Sequence, residues 1–249
     1  LIKLNYEYGI LSYWGKIEMK RKNIGILEID EMIEGGLPQG SVVGISGSPG
    51  VGKSIFALHF LLGGARNGEK SVYINLEEPR RNIDNMIKGF DFSKEFFEYE
   101  KKGLIIIKCF NYSEYEKISF DLLEKVKEDD KIERLVIDSF NCFFDSLEKN
   151  CGEGDYLGAR RMINSSFSYF RKESLNTLLI LEKHENTLIN LDYNIPYLVD
   201  GIIKLDYLDL GVIERRIIIP KMRWTNQHKE SKFYEINSEG IKILSENQI

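Results

Sequence analysis

The sequence predicts an α/β domain built on a mostly parallel sheet, with antiparallel strands added at its C-terminal end. Three observations predict it. Short, continuously apolar runs alternate with segments of helical periodicity, the pattern of a sheet covered on both faces. After residue 200 the helical segments stop and strand-like runs follow one another, turning at Gly211 and Gly240. A glycine-rich stretch, GSPGVGKS (47–54), sits between one apolar run and one helical segment.

The elements follow in order. Residues 41–46 (SVVGIS) read as a buried strand, and 53–65 as a helix with Phe56, Phe60 and Leu61 on one stripe. Residues 71–76 read as a strand, 80–89 as a helix ending near a glycine, and 104–109 (LIIIKC) as a strand. A helix over 118–127, a strand over 134–137, a long helix over 155–172 and a strand over 177–182 (TLLILE) complete the alternation. Residues 201–207, 213–222, 232–236 and 241–244 then read as successive strands. No repeat, low-complexity tract or proline-rich linker interrupts this pattern, so 19–249 reads as one domain with enough chain for a proper core. Residues 1–18 lack the basic start and oily middle of a signal peptide. The first methionine is Met19, and Leu4, Tyr6 and Tyr8 alternate, which leaves two readings open: a misplaced start or an added edge strand.

Composition excludes several classes. The net charge of −5 and a pI of about 5.5 argue against a general binder of nucleic acid or anionic membrane. No apolar run reaches the roughly 18–20 residues of a membrane span. Cys109, Cys142 and Cys151 form no C-x-x-C pair and are odd in number, which suggests neither a disulfide framework nor a zinc site. They read as reduced thiols of a cytoplasmic protein.

The glycine-rich stretch matches G-x-x-x-x-G-K-[ST], a phosphate-binding loop. Glycines let the backbone curl so that several N–H groups face phosphate oxygens, and the following helix adds the positive end of its dipole. The candidate nucleotide contacts are Gly47, Ser48, Pro49, Gly50, Val51, Gly52, Lys53, Ser54 and Ile55. Lys53 would reach the β- and γ-phosphates, and Ser54 would offer a hydroxyl to Mg²⁺. A second metal contact should be an acid at the tip of a buried strand, and LVIDS supplies Asp138. Hydrolysis also needs a group that orients or deprotonates water. VYINLEEP places Glu77 and Glu78 at the tip of the strand after the loop helix, with Glu77 the first choice.

Together, GSPGVGKS, NLEEP, LVIDS, the upstream IGILEIDEMIEGGLPQGS and the late KMRWTNQHKESKFYEI resemble the KaiC-like branch of the RecA ATPase superfamily, over about 24–244. The resemblance implies a RecA-like core, ATP as the nucleotide, and a homo-oligomeric ring, usually a hexamer, with ATP at protomer boundaries. In that family a K-x-R strand reaches the γ-phosphate held by the neighbouring protomer. The matching residues are Lys221 and Arg223, expected to act in trans. Arg160 and Arg161 match a family Arg-Arg pair on a helix. The sequence also departs from the family: Trp224 replaces the usual glycine after K-x-R, His228 comes one residue late, and Ser238 stands where an acid often occurs.

RecA-type DNA-binding proteins thread DNA past two loops, here about 140–155 and 184–198. The first carries Asp145, Glu148, Glu153 and Asp155 against Lys149, and the second carries Glu185 and Asp192 with no Lys or Arg. Binding of phosphate backbones depends on lysine and arginine, so nucleic acid is not the expected partner. The leading expectation is an ATP-binding, slowly hydrolysing regulator whose nucleotide state controls a protein partner. The alternatives are a recombinase-paralogue DNA-dependent ATPase, with a basic face around Lys20–Lys22 and Arg80–Arg81, and a non-hydrolysing ATP-binding scaffold, which Trp224 would favour.

Overall fold

In the computed structural model, which describes residues 19–110, 132–143, 156–182, 195–209 and 213–245, the chain enters through a two-strand ribbon. β1 (Arg21–Lys22) and β2 (Leu37–Pro38) form it and bracket helix α1 (Leu27–Met32). The alternation then begins: β3 (Val42–Gly47), α2 (Lys53–Arg66), β4 (Ser71–Asn75), α3 (Arg80–Lys88), α4 (Ser93–Lys101) and β5 (Ile105–Cys109). It continues with β6 (Arg134–Asp138), α5 (Tyr156–Lys172), β7 (Asn176–Glu182) and the short α6 (Ile195–Leu198). β8 (Gly201–Asp209), β9 (Ile213–Met222), β10 (Lys232–Asn237) and β11 (Gly240–Ile243) end the described chain. The predicted helix over 118–127, the turn at Gly211 and the strand question over 1–18 lie outside the described residues, as do 144–155 and 183–194 of the two loops.

The nine strands form one sheet in the order β11-β10-β9-β8-β3-β7-β6-β4-β5. The strands from β8 to β5 in this order run parallel, and β9, β10 and β11 extend the sheet antiparallel. Successive side chains feed opposite faces. Val43, Tyr73, Val136 and Leu178 pack into a core under α2, while Val42, Val72, Leu135 and Leu179 pack into a second core under α5. Both faces are covered, which is why the strands read as unbroken apolar runs rather than alternating ones.

Helix α2 departs from the predicted stripe. Phe56, Ala57, Leu58, Phe60, Leu61 and Leu62 are all buried, so the helix is enclosed on every side. Three neighbours enclose it: the sheet; the Ile24–Gly25 backbone, which approaches Gly63; and the C-terminal hairpin, where the Ile241 N–H donates to His59 Nε2 at 3.0 Å. Burial holds His59 neutral, with its pKa down at about 4. Helix α4 escaped the sequence pattern because only Phe96 of its residues is fully buried, leaving little periodic signal.

The entry ribbon is tied down by charge. Arg134, fully buried, donates to Glu69, to the Asn23 and Phe60 carbonyls, and lies 4.6 Å over the Phe60 ring. Lys22 bridges Glu69 and Glu133, and Arg21 pairs with Glu34. Arg80 likewise pairs with Asp84 and Glu100. The basic face that the DNA-dependent alternative calls for is therefore largely neutralised by carboxylates, leaving Lys20 and Arg81 as its exposed cations.

Candidate active site

The carboxyl ends of parallel strands are where ligands sit in such sheets. Here the register brings four tips together: Gly47 of β3 is level with Glu182 of β7, and Asn75 of β4 is level with Asp138 of β6. Between β3 and α2 the loop turns through left-handed backbone at Gly50 (φ 78°) and Gly52 (φ 98°). A Cβ at Gly52 would stand 2.8 Å from Ile236, so glycine meets both the conformation and the space. From outside, the Tyr234 hydroxyl donates to the Val51 carbonyl at 2.6 Å, so the C-terminal hairpin shapes the loop.

A cleft of about 490 Å³ opens in front of this loop. Pro49, Gly50, Gly52, Lys53, Ser54 and Ile55 form one wall; Asn75, Glu77, Glu78, Asp138 and Glu182 form the strand-tip wall. Gly47 and Ser48 act as frame, their carbonyls accepting from Lys53 Nζ at 2.9 and 3.2 Å. Burial lowers the Lys53 pKa, opposed by Glu182, Asp138 and Glu77 around it.

Ser54 Oγ donates to Asp138 Oδ2 at 2.8 Å, and the Tyr73 hydroxyl donates to the same oxygen at 2.5 Å. Burial pushes the Asp138 carboxyl up, against the pull of those two bonds. A buried carboxylate of this kind is relieved by a cation. No three His, Cys, Asp or Glu side chains form a metal cage among the described residues. Mg²⁺ does not need one, because it takes one or two carboxylates with water and substrate phosphates. The Ser54–Asp138 pair fits that demand.

The two glutamates part company. Asn75 Oδ1 accepts from both backbone N–H groups, at 3.1 Å for Glu77 and 2.6 Å for Glu78. The Glu77 carboxylate turns toward β6, where the Ser139 hydroxyl donates to it, while Glu78 accepts from Asn82 of α3 at 2.5 Å. Sequence reading missed Asn75, Tyr73 and Glu182. The signal for Glu182 was present: the apolar run TLLILE ends in an acid, as LVID does.

Lys221 and Arg223 lie elsewhere. Met222 pairs with Gly201, and Gly201 pairs with Val43 at the start of β3. The phosphate loop begins at the other end of β3, about 13 Å of strand away. These cations are on the amino edge of the sheet and cannot join their own chain's cleft. Lys221 Nζ donates to the Pro196 and Val199 carbonyls at 2.6 and 2.7 Å. Arg223 donates to Asp200 at 3.1 Å and keeps 44% of its side chain exposed.

Trp224 follows with φ at 57°, in the left-handed region, and the residue is 57% exposed. That conformation explains why glycine suits this position. In urea unfolding, Trp224→Gly is expected to be more stable than Trp224→Ala by about 1 kcal/mol, the reverse of the usual order. Both variants lose the ring, so the difference reports the backbone alone. Of the other residues singled out, Arg161 is exposed and Arg160 half-buried on α5. His228 is exposed, its N–H bonded to the Met32 carbonyl. Ser238 bonds Asp91 at 2.6 Å.

Known proteins resemble this chain over most of its length. The family model described as ATPase: KaiC matches residues 22–248. A UPF0273 protein of Methanopyrus kandleri is 29% identical over 244 residues, covering 90% of this chain and 92% of that one. The circadian clock oscillator protein KaiC of Rippkaea orientalis is 28% identical over 247 residues, covering 96% of this chain and 45% of that longer one. The crystal structure of a KaiC-like protein from the hyperthermophilic archaeon Pyrococcus horikoshii superposes with a TM-score of 0.73 at 28% identity, covering 91% of this chain and all of that one. No helix among the described residues is long and apolar enough to cross a membrane.

Proposed function

The chain belongs to the KaiC family of ATPases, and we propose that it is a slow Mg²⁺-dependent ATP hydrolase whose site is completed by a second copy of the chain. The observation that carries this is the convergence, in one cleft, of Lys53, the Ser54–Asp138 pair and Glu77. The loop N–H groups and Lys53 would bind the β- and γ-phosphates. Ser54 and Asp138 would hold Mg²⁺, which supplies charge neutralisation at the phosphate oxygens. Glu77 would orient a water toward the γ-phosphorus and accept its proton. The bond to the β-phosphate oxygen breaks, leaving ADP and inorganic phosphate.

The cations expected in trans fit this scheme only across protomers. One edge of the sheet presents acids around a lysine and the opposite edge presents Arg223 and Lys221, so a head-to-tail contact brings unlike charges together. Contacts between two different faces generate rings when the rotation closes. We take the assembly to be a cytoplasmic ring, a hexamer on the family pattern, whose nucleotide state is read by a protein partner. Trp224 favours a second reading, the non-hydrolysing scaffold, because a large exposed ring adjoins Arg223 at that contact.

Phosphate release from ATP with Mg²⁺, and with chelator, separates the two. The hydrolase reading expects slow release that chelator abolishes, from particles larger than one chain, unaffected by single-stranded DNA. ATP binding without release would favour the scaffold.

A further inference from the structure

A glutamate that orients water must present one oxygen in a fixed direction, and Glu77 sits beyond the end of its strand with a rotatable side chain. Its carboxylate is held at one oxygen. Glu77 Oε1 accepts from the Ser139 hydroxyl and from the Cys142 thiol, with Sγ at 3.2 Å. Ser139 is fully buried and immediately follows Asp138. Cys142 comes one helical turn later, its Sγ 3.5 Å from Ser139 Oγ. Residues three apart on a helical turn share a face, so both donors aim at one point.

The turn carrying them is anchored separately. Phe140 and Phe143 are buried in the core under α5, with the Phe140 ring 5.7 Å from Phe143 and 6.0 Å from Phe167. Asn141 Oδ1 accepts from the Glu182 N–H at 2.9 Å, which fastens the same turn to the tip of β7. The apolar side of the turn thus faces the core, and its polar side meets Glu77 and the tip of β7. The Cys142 thiol is the donor in its contact with Glu77 Oε1.

We propose that Ser139 and Cys142 are positioning residues that clamp Glu77 Oε1 and leave Oε2 to address the attacking water. This rests on Glu77 being the water-orienting group. Two donors on one oxygen fix the carboxylate's rotation and direct proton acceptance to the other oxygen. The thiol has no part in binding ATP, so the clamp acts on turnover rather than affinity.

The test compares phosphate release, ATP affinity and melting temperature for Ser139→Ala, Cys142→Val, Cys142→Ser and Glu77→Gln, with Cys142→Val also made in the Glu77→Gln background. Ser139→Ala and Cys142→Val should each lower kcat about tenfold, less than the roughly hundredfold that a displaced catalytic group can cost, with ATP affinity unchanged. Cys142→Ser restores a donor and should recover most of the loss. Cys142→Val should add nothing once Glu77 is glutamine. The proposal is overturned if Glu77→Gln stops turnover but Ser139→Ala and Cys142→Val leave kcat intact. It is also overturned if the Cys142→Val loss persists in the Glu77→Gln background, or if either loss tracks melting temperature. If Glu77→Gln itself retains turnover, or the intact chain has none, the reading of Glu77 fails and the clamp fails with it.

Discussion

Arg223→Ala is expected to lower ATP turnover about a thousandfold while leaving ATP affinity nearly unchanged. The size follows from the role: an arginine meeting the γ-phosphate stabilises charge that develops only in the transition state. The unchanged affinity follows from position. Arg223 is on the amino edge of the sheet, away from the cleft that holds ATP in its own chain. The variant should still fold. Asp200 is 1% exposed, but Arg171 bonds both of its carboxylate oxygens, at 2.8 and 3.1 Å, so losing Arg223 does not strand a buried charge. Stopped-flow phosphate release beside equilibrium binding of a fluorescent ATP analogue checks both halves. A parallel loss of affinity and turnover would show that Arg223 supports the fold instead.

Glu77→Gln is expected to lower turnover by at least about a hundredfold, the usual cost of losing a general base. Glutamine keeps the shape and still accepts from Ser139 and Cys142, so the cleft should be preserved. It cannot take a proton from water. Glu78→Gln should cost far less, because Glu78 is turned to Asn82 on α3. Equal losses from the two substitutions would mean that the local geometry of β4's tip, and not the Glu77 carboxylate, sets the rate.

Much of this architecture was legible because local physics and tertiary demand agree. The phosphate loop declared itself by spacing: Gly47, Gly52, Lys53 and Ser54 fit the motif, and Gly52 takes left-handed backbone there. The parallel strands read as apolar runs because both faces are covered. What escaped was set by contacts distant in sequence. Arg134 begins an ordinary-looking strand, RLVID, yet it is fully buried because Glu69, Asn23 and Phe60 converge on it. The entry ribbon and α1 are too short to leave a period, and Ile24, Ile29, Met32, Ile33 and Leu37 of this segment are held by burial in the core under α2. The Ser139–Cys142 clamp was invisible because it joins the tip of β6 to a residue past the tip of β4. Trp224 could be recognised as a departure, but the left-handed backbone beneath it could not.

Each site is expected to take Glu77 from one chain and Arg223 from another. Mixing tests it directly: the Glu77→Gln chain and the Arg223→Ala chain, each nearly inactive, are co-assembled in equal amounts. A site is whole when an Arg223→Ala chain holds ATP and a Glu77→Gln chain supplies the arginine. Random assembly should then restore about a quarter of the intact chain's turnover. If subunits exchange and turnover stays at the level of the two variants alone, the site is not shared between chains.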